Sequence, residues 1–75
     1  MLEKKVYAIE INDGFIVEVS PSIKDNEVYE FYLGHKEYGI KVMMFAKKAS
    51  EDEFMGLIVE NVDKYIETYK ERYFD

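Results

Sequence analysis

The residues best suited to chemistry in this chain are its one histidine, His35, in the stretch Gly34-His35-Lys36-Glu37-Tyr38-Gly39, and a large set of carboxylates. Imidazole titrates near neutrality and a carboxylate such as Glu37 can fix its tautomer, so this stretch would serve as a general acid or base. No serine or cysteine nucleophile with a recognisable motif accompanies it, and the chain has no cysteine at all. His35 is therefore expected to be an exposed turn residue between two glycines, dispensable for folding and for activity.

The carboxylates are numerous and unspecific. Glu51, Asp52 and Glu53 adjoin one another, but a calcium loop needs alternating ligands and a central glycine over about twelve residues, which this segment lacks. Glu60, Asp63, Glu67 and Glu71 recur along one side of a helical stretch, either as a solvated face or as a surface for a basic partner, with Lys64 four residues after Glu60. Without cysteine a thiolate zinc site is excluded. The glycines form no phosphate cradle: Gly34 and Gly39 belong to a turn, Gly14 to a hairpin and Gly56 to a helix. Seven tyrosines and five phenylalanines could stack bases, but 16 acidic against 10 basic residues, a net charge of −6, oppose a polyphosphate partner. No cofactor, no metal and no direct nucleic-acid contact is expected.

What must position these groups is one small domain. The chain has 75 residues, 48% of them hydrophobic and 35% charged, enough apolar material for a core. Domains of this size bury only about 60% of the surface that the unfolded chain exposes, so a partner subunit is a natural source of further stability. The absence of cysteine favours a reducing compartment, and the expected location is the cytoplasm. No targeting segment is visible at the N-terminus, and no run approaches the roughly 18 apolar residues of a membrane span.

Residues 5–11 alternate in polarity, as do residues 15–19, and Asn12-Asp13-Gly14 between them is a hairpin turn. A two-residue loop would set Ile9 opposite Glu18. A three-residue loop with left-handed Gly14 pairs Ile11 with Phe15, Ile9 with Val17 and Tyr7 with Val19, and keeps one face apolar. Residues 20–27, with the single proline Pro21, connect to a second hairpin: a strand over 28–33 with Tyr29, Phe31 and Leu33 on one side, a turn over 34–39, and a strand over 40–46. In this last strand Ile40, Val42 and Met44 oppose Lys41, Met43 and Phe45.

The C-terminal third changes period. Ser50-Glu51-Asp52-Glu53 reads as a capping box, with the Ser50 hydroxyl on the Glu53 N–H and the Glu53 carboxylate on the Ser50 N–H. Phe54, Ile58, Val62, Tyr65, Ile66, Tyr69 and Tyr73 then share one stripe of a helix reaching about residue 72. The expected fold is α+β, a four-stranded antiparallel sheet of two hairpins with one long C-terminal helix packed on one face.

At 1.5 Å per residue such a helix spans roughly 34 Å, against roughly 23 Å for a seven-residue strand, so it is expected to overshoot the sheet with Tyr69, Tyr73 and Phe74. The other sheet face would carry Val6, Ala8 and Ile16, with Tyr32 or Tyr29 and Met43 and Phe45 according to how the second hairpin is oriented. Surplus apolar surface of this kind marks a protein contact. The function implied is a small acidic non-enzymatic protein-binding module and homodimer, with Tyr69, Tyr73, Phe74, Glu60, Asp63 and Glu67 meeting the partner. One version of it is an inhibitor occupying the basic groove of a nucleic-acid-binding protein. The alternative is a ligand-binding protein or enzyme whose site forms across the dimer, with His35, Glu37 and Tyr38 at its mouth.

The three-residue turn carries its own test. Gly14→Ala places a Cβ where the backbone is left-handed and is expected to destabilise the fold by about 1 kcal/mol or more. An unchanged denaturation midpoint would contradict the register.

Overall fold

The computed structural model describes residues 6–74, so Lys5, the expected start of the first strand, lies outside the described residues. Four strands, β1 (Tyr7–Glu10), β2 (Phe15–Pro21), β3 (Val28–His35) and β4 (Lys41–Lys48), precede one helix, α1 (Phe54–Tyr73). The sheet is antiparallel in the order β1-β2-β3-β4, so this is the ββββα arrangement that the change of period implies.

The first hairpin has the three-residue register. Tyr7 pairs with Val19 and Ile9 with Val17, and the Ile11 N–H donates to the Phe15 carbonyl at 2.9 Å. Gly14 has φ +85° and Asp13 also lies in the left-handed region at φ +62°. The two together make the sharp reversal that lets Phe15 re-enter on the same face as Ile9.

Odd-numbered residues of β2 and β3 then build the core. Phe15, Val17, Val19, Phe31 and Leu33 are fully buried, with Tyr29 beside them. From the helix, Phe54, Leu57, Ile58 and Tyr69 close on this layer. Phe54 packs edge-on against Tyr7, Tyr29 and Phe31, which places the start of the helix over the end of the sheet where β3 begins. Each such side chain contributes roughly 1.5–3 kcal/mol when fully buried.

Strand β4 departs from simple alternation. Phe31 pairs with Phe45 but Tyr32 pairs with Met43, so Met44 is an extra residue in a β-bulge. The bulge reverses the phase: Phe45 stacks on Phe31 at 4.4 Å on the helix side, not on the open face. Tyr29 is likewise a core residue, and Tyr32 belongs to the open face.

Two helix expectations also change. The reciprocal capping box is not formed; residues Glu51–Glu53 make a 3-10 turn, in which the Glu53 N–H donates to the Ser50 carbonyl at 3.0 Å and the Ser50 hydroxyl to the Glu53 carboxylate at 3.1 Å. The Glu51 carboxylate instead lies beside the Tyr7 phenol and holds it above its ordinary value of 10.0. Nor does the helix overshoot by three aromatics. Its α-helical part has 20 residues, roughly 30 Å, while β3 and β4 have 8 residues each, roughly 27 Å, so the lengths nearly match. Tyr69 is 1% exposed.

The Tyr69 hydroxyl donates to the Ile40 carbonyl at 2.7 Å and pins the helix to the start of β4. Desolvation raises its phenol above 10.0. Its stabilising effect is therefore intact below pH 10 and lost as pH rises through the higher folded-state value, because the unfolded chain gives up this proton first. Tyr69→Phe is expected to cost about 0.5–1.5 kcal/mol at neutral pH and to flatten the alkaline fall in stability. Urea midpoints of both proteins at neutral and alkaline pH check it, and parallel profiles would contradict it.

Candidate functional site

His35 is not an exposed turn residue. It is the last residue of β3, opposite Phe15, and 8% exposed. Its ring lies edge-on to Phe15 at 4.8 Å, to Tyr38 at 5.2 Å and to Phe74 at 5.3 Å. Nε2 stands 2.8 Å from the Asp13 carbonyl and Nδ1 3.1 Å from the Glu37 backbone N. A carbonyl can only accept and an N–H can only donate, so the ring carries its proton on Nε2. Both nitrogens are thereby committed to backbone, one in each hairpin turn. Glu37 meets His35 through its N–H, not through its carboxylate. The expectation of a dispensable side chain rested on exposure, which the structure overturns.

Of the three aromatic residues expected at a partner surface, Tyr69 is in the core. Phe74 turns back after the helix with φ −91° and ψ 141° and stacks on Phe15 at 5.8 Å and on Tyr38 at 4.5 Å. Tyr73 is half-buried and borders a groove between β4 and the helix, with Val42, Met43, Tyr65, Thr68 and Arg72. The groove has about 200 Å³, below the roughly 300 Å³ at which drug-sized ligand sites begin. Arg72, the chain's single arginine, stands at its edge.

Glu60, Asp63 and Glu67 are exposed, as Glu71 is, and at 100° per residue they form one line along the outer face of the helix, about one carboxylate per turn. Between this line and the buried stripe lie Met55 and Val59, 54% and 68% exposed. Sequence reasoning left these two out of the surface. Their signal was present: Met55 and Val59 lead at helical spacing into Val62 and Ile66 and so widen the apolar stripe on that side.

The open sheet face is more polar than its expected apolar residues imply. Lys41 reaches across β3 to Glu18 at 2.7 Å, because Gly34 between them has no side chain, and its ammonium also lies 5.2 Å from the Tyr32 ring centroid. The hydrogen bond to Glu18 raises the Lys41 value above 10.5. The Tyr32 hydroxyl donates to Glu30 at 3.3 Å, and desolvation, with the Glu30 charge, raises its phenol. Val6 and Met43 remain more than half and half exposed there, at 64% and 50%.

Among the described residues no group of three or more histidine or acidic side chains is placed to hold a metal ion, and no helix is long and apolar enough to cross a membrane. No family model, no curated protein and no solved structure matches this chain.

The histidine geometry generates a double-mutant test. A Cβ on Gly14 would lie 2.9 Å from His35 Nε2. His35→Ala is expected to destabilise the protein by about 2–4 kcal/mol, through two lost hydrogen bonds and a cavity among three aromatic rings. Gly14→Ala should then be cheaper in the His35→Ala background than alone, leaving only the backbone strain. Denaturation midpoints of the four proteins measure the coupling, and strict additivity would contradict the contact.

Proposed function

We propose that this protein is a non-enzymatic binding module that presents the outer face of α1 to a basic surface on another protein. The observation that carries this reading is the line of Glu60, Asp63, Glu67 and Glu71, one carboxylate per helical turn, bordered by exposed Met55 and Val59. Charges in a row on a rigid element steer a basic partner and fix its register, and an apolar border supplies contact area that charges alone do not. In its most specific form the partner is a nucleic-acid-binding protein whose basic groove the helix occupies, so that the module acts as an inhibitor. The net charge of −6 favours such a partner and disfavours nucleic acid itself.

Binding through this face requires strong salt dependence. A triple variant, Glu60→Gln, Asp63→Asn and Glu67→Gln, keeps the helix and removes the row. Immobilised wild-type protein is expected to retain a basic protein from a host extract at low salt and to release it at high salt. The triple variant should retain at least about tenfold less, and added nucleic acid should compete for the retained protein. Equal retention by both proteins, or retention indifferent to salt, would contradict the proposal.

A further inference from the structure

The two edges of the sheet are built differently. β4 carries Lys41, Lys47 and Lys48 and the bulge at Met44, devices that discourage another strand from pairing. β1 has neither a lysine nor a bulge; it is protected only by its length of 4 residues and by the charge of Glu10. Its residues Tyr7, Ala8, Ile9 and Glu10 pair with β2 in unbroken register, and among the described residues no strand lies beyond it.

The bond from the Ile11 N–H to the Phe15 carbonyl sets the phase of this edge. Ile9 and Tyr7 exchange their backbone bonds with β2, so Val6, Ala8 and Glu10 direct their N–H and C=O groups outward. Beside the edge lies the apolar helix flank. Gly56, Leu57 and Glu60 border Lys47 of β4. Met55 and Val59 therefore fall on the opposite flank, towards β1.

We infer that β1 is a self-association site, where a second copy of this chain adds its own β1 antiparallel about a two-fold axis at Ala8. In that register Ala8 opposes its own counterpart, Val6 opposes the counterpart of Glu10, and Tyr7 that of Ile9. Every outward backbone group of residues 6, 8 and 10 is then paired. A small residue sits on the axis, and apolar side chains meet on the helix side. The axis stands normal to the sheet, so both helices lie on one face and their Met55 and Val59 flanks face each other across the seam.

Charge selects this edge over the other. Glu10, the one formally charged side chain of β1, is paired with Lys36. In β4 Lys41 and Lys48 are likewise paired, with Glu18 and Glu27, but Lys47 joins no ion pair among the described residues, and joining β4 to its counterpart would bring three lysines against three. The carboxylates Glu60, Asp63 and Glu67 stand on the far side of the helix, so the association leaves the charged row of the proposed binding face open and draws only on its Met55 and Val59 border.

Proline is tolerated on an edge strand where its missing N–H faces outward, so Ala8→Pro separates the edge from the fold. Sedimentation equilibrium at micromolar concentration is expected to give twice the chain mass for the wild type and the chain mass for Ala8→Pro, with native circular dichroism in both. A wild-type monomer, or a folded Ala8→Pro dimer, overturns the inference. If Ala8→Pro does not fold, Ala8→Cys decides: in a chain without other cysteine, a short bifunctional thiol reagent should link two copies at this position. Failure to link in a dimeric sample overturns the inference as well.

Discussion

One imidazole holds the two hairpin turns together. His35 donates from Nε2 to the Asp13 carbonyl and accepts at Nδ1 from the Glu37 N–H, while the Lys36 N–H reaches the Gly14 carbonyl at 3.0 Å. The first turn is thus fixed to the end of β3, and the second turn is fixed to the same ring. Gly14 must be glycine twice over, for its positive φ and for the ring that occupies the space of a Cβ. Phe74 then closes on Phe15, His35 and Tyr38, so the end of the helix is held against both turns.

This anchoring has consequences for the surfaces. With Tyr69 bonded to the Ile40 carbonyl and Phe54 against β1 and β3, the helix is fixed at both ends and its rotation is set. That rotation buries Ile58 and Leu57, turns the carboxylate row outward, and leaves Met55 and Val59 half-way between. Among the described residues no buried side-chain polar atom lacks a hydrogen-bond partner. The charged pairs Glu10 with Lys36, Glu18 with Lys41 and Glu27 with Lys48 are all solvent-exposed, and such pairs are worth little individually.

Much of this fold was legible because alternation and helical period are properties of the chain itself. The register of the first hairpin followed from requiring Ile9 and Val17 on one face, and the helix from the spacing of Phe54, Ile58 and Tyr69. What was not legible depended on tertiary pairing. A bulge is one extra residue that only the partner strand reveals, so Phe45 was put on the same face as Met43. Gly34 was taken for a turn residue, yet β3 runs through it, and this brought His35 from an exposed turn into the core. Tyr69 was misplaced by strands assumed shorter than the 8 residues of β3 and β4. The carboxylates of the candidate face were visible in sequence, but the neighbouring Met55 and Val59 were read past.

The histidine clamp can be measured without perturbing the protein. Long-range proton–nitrogen correlation spectroscopy in mildly alkaline solution reports which ring nitrogen of His35 carries the proton. The clamp predicts a single Nε2–H tautomer whose proton exchanges slowly with solvent, because it donates to the Asp13 carbonyl within an aromatic enclosure. A proton on Nδ1, or an average of both tautomers with rapid exchange, would contradict it.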